Sequence, residues 1–152
     1  MSAGPQPNLS ECNCLAVRQA ARYVTQLYDR HLAAVGLRTG QYGILARLRR
    51  RGPMTINELA AELVIDRTTL GRNLRPLERD GLISITPSQT DRRIKEVRLT
   101  DLGDARFQQS HRAWIEAQRS FEAGFGPQRA ARLRGLLSAL VESGLLPRAE
   151  LP

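Results

Sequence analysis

Residues 55–81 read TINELAAELVIDRTTLGRNLRPLERDG, and the spacing within this stretch decides the fold. Thr55 followed by Glu58 has the form of a capping box, in which a hydroxyl and a carboxylate each accept a backbone N–H at a helix start. Ile56, Leu59, Ala60 and Leu63 then share one face of a helix that runs to about Val64. Asp66 stands where a second helix needs its N-cap, and Leu70, Leu74 and Leu77 follow at i, i+4 and i+7 before Gly81 stops it. Two short helices joined by a turn of a few residues make a helix-turn-helix. Pro76 is the one discord, because it removes a backbone donor; it is expected to kink the end of the second helix and spare its first turns.

Beyond Gly81 the period changes from helical to alternating. LISITP puts Ile83 and Ile85 on one face, IKEVRL resumes the alternation with Val97 and Leu99, and the polar SQTDRR lies between them. This predicts a β-hairpin with a charged tip. Thr100 then caps a long helix that Gly126-Pro127 breaks, and a last helix carries Leu133, Leu136, Leu137, Leu140 and Val141. Upstream, the spacing predicts one helix from Ser10 to Ala34 ended by Gly36, and another over TGQYGILARLRRR closed by Gly52-Pro53. The expected fold is mainly α with a small β-hairpin wing: a winged helix-turn-helix over residues 37–100 and dimerisation helices over 11–36 and 101–146. Residues 1–10 are expected to be a flexible tail. The flanking helices hold more apolar surface than one small domain can bury, which predicts a homodimer.

Composition agrees with a single domain. The chain has 152 residues, 41% apolar and 25% charged, and no apolar run approaches the ~20 residues of a membrane span. The N-terminus MSAGPQPNLS is polar, which predicts a cytoplasmic protein with no signal peptide and no membrane partner. The net charge is +8, and of the 23 basic residues only Lys95 is not arginine. Arginine's planar fork suits phosphates and base edges, so the composition points toward nucleic acid, although a GC-rich genome would enrich arginine too. Two cysteines make no disulfide framework, so the fold must stand on packing.

TINELAAEL, DRTTLGRNLRPLERDGLI and TDRRIKEVRLTDLG, with the flanking helices, resemble the MarR family of winged-helix transcriptional regulators. The resemblance spans roughly Glu11 to Val141. Its most specific part is the wing, where Asp91 and Arg93 match the family's D-x-R and VRLTDLG matches its L-T-x-x-G. It implies a homodimer on a pseudo-palindromic double-stranded DNA site, acting as a repressor and released by a small molecule or an oxidant. The competing class is a basic enzyme or metal-handling protein that does not bind DNA.

Base reading in helix-turn-helix proteins comes from the start of the second helix. There the outward residues are Arg67, Thr68, Thr69, Arg72 and Asn73, with Arg75 further on. Arginine pairs with guanine, asparagine with adenine, and threonine meets a thymine methyl or a phosphate. Thr69 and Arg72 are the expected base contacts, with Thr68 and Arg67 nearby; the lesser alternative for Arg67 or Arg75 is a solvated surface charge. By the family pattern Arg93 enters the minor groove, Asp91 holds the wing tip in shape, and Arg92 and Lys95 touch phosphates. No Ser/His/Asp set and no phosphate-cradling glycine loop occurs, so neither catalysis nor a cofactor is expected.

Cys12 and Cys14 are expected in the first turns of the first helix, where side chains two apart project about 200° apart and cannot easily bond one another. A helix N-terminus favours thiolate. In the organic-hydroperoxide-sensing branch of the family a reactive cysteine precedes the Q-Y of the second helix by a fixed interval. Counting back from Gln41-Tyr42 reaches Cys14, and the tyrosine that bonds the thiol falls at Tyr28. Another tyrosine of that site corresponds to Arg18, so the pocket is at best a variant one. Four readings stay open: oxidation of Cys14 by an organic hydroperoxide, binding of a small phenolic or aromatic effector between the dimerisation and reading helices, a soft-metal site across the dimer, and simple packing of both thiols. His31 and His111 are too few and too scattered for a zinc site within one chain.

Overall fold

The computed structural model describes residues 9–146. In chain order it contains α1 (Asn13–Leu32), α2 (Thr39–Arg51), β1 (Met54–Thr55), α3 (Ile56–Leu63), α4 (Arg67–Arg79), β2 (Ile83–Pro87), β3 (Lys95–Leu99), α5 (Asp101–Phe125) and α6 (Pro127–Glu142). The tail expected over 1–10 lies outside the described residues up to position 8. Leu9 and Ser10 belong to a 3-10 turn, Leu9–Glu11.

The caps are where the sequence put them. Thr55 Oγ1 accepts the Glu58 N–H at 3.1 Å, and Glu58 Oε2 accepts the Thr55 N–H at 2.8 Å. Asp66 accepts the Thr69 N–H at 2.8 Å and Thr100 accepts that of Gly103 at 3.0 Å. Pro76 sits inside α4, which continues through it to Arg79; the Asp80 N–H donates to the Pro76 carbonyl at 3.0 Å. The missing donor therefore costs one bond in the last turn without ending the helix. Between α3 and α4 the chain turns at Val64, whose φ of 53° is left-handed. A β-branched side chain is strained there.

The wing is more than the expected hairpin. β2 pairs antiparallel with β3, Ile83 opposite Leu99 and Ile85 opposite Val97, and β1 adds a third strand with Met54 opposite Val97. Two residues carry too little alternation to announce a strand, so Met54–Thr55 was illegible by period. The pairing of Thr55 with Glu96 sets the start of α3 beside the wing.

One apolar core joins these elements. Ile44, Leu45 and Leu48 of α2, Leu59 of α3, Leu70, Leu74 and Leu77 of α4, and Ile83 and Val97 of the sheet are buried in it. Burying such a side chain contributes about 1.5–3 kcal/mol relative to exposure. Leu32 at the end of α1 and Phe107 in the first half of α5 belong to the same core. Tyr42 and Phe107 of that core stack with His111 and Trp114 at its edge, the Tyr42 ring 5.2 Å from Phe107 and 5.9 Å from Trp114. Trp114 is thus a packing residue. Burial pushes the Tyr42 hydroxyl up to about 12, and that hydroxyl lies 3.0 Å from His111 Nδ1.

Candidate nucleic-acid interface

The first turns of α4 expose Arg67, Thr68, Thr69 and Arg72, while Asn73 is half-buried and Arg75 exposed. Their opposite face holds Leu70, Leu74 and Leu77 in the core, so the same spacing that buries the leucines aims the polar set outward. Thr69 is tied down: its hydroxyl donates to Asp66 Oδ2 at 2.6 Å, beside its backbone bond to Oδ1. Those bonds hold Asp66 below the usual carboxylate range. The Thr69 hydroxyl proton is thereby engaged while its oxygen can still accept, and the Thr68 hydroxyl has no hydrogen bond among the described residues.

At the wing tip Asp91 organises Arg93. Its Oδ1 accepts the Arg93 backbone N–H at 3.0 Å and Nε at 3.2 Å, and Oδ2 accepts Nη2 at 3.3 Å. The backbone bond first, and the guanidinium second, hold Asp91 below its ordinary value. The Arg93 side chain nevertheless stays 91% exposed. Buried Ser88 closes the tip from below: its N–H donates to the Ile94 carbonyl at 2.7 Å, and its hydroxyl lies 3.0 Å from that of Thr90.

Other arginines have protein partners. Arg49 pairs with Asp104 at 2.6 Å, Arg50 and Arg51 with Glu62, Arg98 with Glu96, and Arg134 with Glu122. Among the described residues, Arg67, Arg72, Arg75, Arg92 and Lys95 form no ion pair. The face made by α4 and the wing thus carries cations with no internal counter-charge.

The cysteines depart from expectation. Cys12 is not helical: it is the N-cap of α1, with extended φ of −78° and ψ of 107°, and only Cys14 lies in the helix. The 200° separation therefore does not apply to this pair. Cys12 is half-buried and Cys14 exposed. One chain does not bring Cys14 and Tyr28 together, since fourteen residues of helix span about 21 Å. The Tyr28 hydroxyl donates instead to Gln118 Oε1, and burial raises its pKa, helped by Glu122. Arg18 is exposed on α1. Among the described residues no three of His, Cys, Asp and Glu gather as a metal site.

Between α1, the start of α2 and the end of α4 opens a cleft of about 580 Å³ whose lining residues the sequence did not announce, with Asp29, Arg30, Arg38, Pro76, Arg79 and Asp80 among its walls. Asp29 is committed there, accepting both the N–H and the hydroxyl of Thr39 at 2.7 Å. No local pattern could have announced the cleft, because its walls come from three segments.

The profile of the MarR family matches residues 37–95, which run from the start of α2 to the far side of the wing tip. The HTH-type transcriptional regulator PecS of Dickeya dadantii is 32% identical over 139 residues, 87% of this chain and 83% of PecS. The chain belongs to the MarR family. The homoprotocatechuate degradative operon repressor of Escherichia coli is 29% identical over 139 residues, 91% of each chain. The crystal structure of the M. tuberculosis transcriptional regulator MosR in complex with DNA is 36% identical with a TM-score of 0.75, covering 90% of this chain and 100% of that one. The winged helix-turn-helix fold is the shared framework.

Proposed function

We propose that this MarR-family regulator binds a pseudo-palindromic duplex as a homodimer in the cytoplasm and represses the genes beside it. The observation that carries the reading is the exposed face of α4 and the wing, where Arg67, Arg72, Arg75, Arg92 and Lys95 form no ion pair among the described residues. Each reading head places α4 in a major groove, where Arg72 reads guanine and Thr69 presents its methyl to thymine, with Thr68, Asn73 and Arg75 at its edges. Arg93, held by Asp91, enters the adjacent minor groove, and Arg92 and Lys95 meet phosphates. The MosR complex with DNA supports DNA binding by likeness. The test is a gel shift with DNA from upstream of the protein's own gene. A specific complex at moderate salt is expected, and its absence overturns the reading.

Release follows from an effector seated between the dimerisation and reading helices. The cleft joining α1 to the end of α4 has that position, and Arg30 and Arg38 in it, free of ion pairs, favour an acidic phenolic or aromatic molecule. A second reading rests on the exposure of Cys14. An organic hydroperoxide oxidises its thiolate to a sulfenic acid, releasing the alcohol, and condensation with the Cys12 thiol forms a disulfide and releases water. Operator binding of wild type, Cys12→Ser and Cys14→Ser with and without hydroperoxide separates the two. Equal binding by all three under oxidant removes the thiol trigger.

A further inference from the structure

A second cleft, of about 330 Å³, opens between the first turn of α3, the first residue of α4 and the wing. Thr55, Asn57, Arg67, Arg93 and Lys95 line it, and no acidic residue does. Its lining therefore carries three positive charges. Arg67 and Lys95 are free of ion pairs, while Arg93 is braced by Asp91 on one side only. Asn57 is exposed, and its side chain has no hydrogen bond among the described residues. Two unpaired cations, Arg67 and Lys95, gathered with a carboxamide beside Arg93 are complementary to an anion that has several acceptor oxygens.

The position says which anion. One wall is the start of α4, which the proposed function puts in the major groove, and the other is the wing, which it puts in the neighbouring minor groove. The nucleic-acid component between two adjacent grooves is one sugar–phosphate strand. We propose that this cleft seats the DNA phosphodiester at that crossing, with Asn57 donating its carboxamide N–H beside Arg67 and Lys95. Arg67 is then a phosphate ligand and not a base reader. This rests on the DNA-binding reading and assigns α3, otherwise a core helix, a direct part in it. Asn57 fixes register, as an uncharged positioning contact does, and adds nothing to the salt dependence.

The test first locates the bound site in DNA upstream of the gene by footprinting, then measures full-length variants by fluorescence anisotropy on a duplex carrying that site and on an unrelated duplex of equal length, across a salt series. Asn57→Asp is expected to lose at least about a hundredfold on both duplexes by setting a carboxylate against the phosphate. An acidic residue in the first turn suits the α3 dipole, so the fold persists, and circular dichroism checks it. Asn57→Ala is expected to lose about tenfold on both duplexes with its salt slope unchanged. Arg67→Ala and Lys95→Ala each lower the slope by about one and leave the ratio between duplexes intact. Wild-type binding of Asn57→Asp, or altered base preference with an intact slope in Arg67→Ala, overturns the seat while Arg72→Ala still tests the regulator. A wild type that binds neither duplex overturns both. Inorganic phosphate at fixed ionic strength is expected to leave wild-type affinity unchanged; tenfold competition lost in Asn57→Asp would assign the cleft to free phosphate instead.

Discussion

Gly103 shows how one residue lets the start of α5 close on the base of the wing. A Cβ there would stand 1.9 Å from the Leu82 carbonyl oxygen and 2.8 Å from a Leu99 methyl. The obstacle is backbone that also accepts the Thr100 N–H at 3.2 Å, so it cannot swing aside. Gly103→Ala is expected to cost about 3 kcal/mol, at the upper end for overpacking, read as a lower midpoint in denaturant. An unchanged midpoint would mean that the start of α5 shifts freely. Asp66 is a residue-scale prediction in pH. Its bonds from Thr69 favour the charged form in the folded state, so its contribution is complete above the ordinary carboxylate value near pH 4 and is lost as pH falls through the lowered one. The stability gap between wild type and Asp66→Ala should therefore narrow from pH 6 to pH 3. A gap that is constant across that range refutes the capping account.

The wing predicts at the scale of an element. Arg93→Ala removes an exposed charge from a tip whose remaining bonds, Ser88 to Ile94 and Ile94 to Asp91, do not involve its guanidinium. Folding should be untouched, while affinity for operator and mixed DNA falls and the salt dependence flattens by about one phosphate equivalent. A salt titration that leaves both unchanged removes the wing from the interface. The elements themselves were legible to different degrees, for physical reasons. α3 and α4 announced themselves because capping residues and core leucines repeat locally. β1 did not, since its two residues become a strand only by pairing with Val97 and Glu96, some forty positions away. Cys12 was misplaced by a margin of one residue, because the N-cap of α1 makes no side-chain bond that a pattern could reveal. Asn57 was invisible as a ligand for the reason that hid β1: only the sheet brings α3 to the wing.

On the whole molecule, the apolar surface is segregated. Core residues are concentrated in the reading head and the ends of α1 and α5 that touch it, while Leu136, Leu137, Leu140 and Val141 on α6 are 62%, 41%, 46% and 63% exposed. Leu15, Val17 and Tyr23 of α1 are exposed as well, and an apolar cleft of about 450 Å³ between α1, α5 and α6 continues the patch. So much leucine in water is unfavourable at about 25 cal/mol per Å² of apolar area, and a second copy offers the same surface in return. Polar substitution on this face should then separate association from folding. The double variant Leu136→Glu, Leu140→Glu is expected to sediment as a monomer, to keep its helical circular dichroism because neither side chain is in the core, and to lose operator affinity by at least about a hundredfold. The loss follows because two linked reading heads gain from effective concentration what a single head lacks. Residual binding should be alike on operator and unrelated DNA. A variant that sediments as wild type does, or a monomer that binds the operator as tightly as wild type, would mean that α6 does not join the two heads of the proposed dimer.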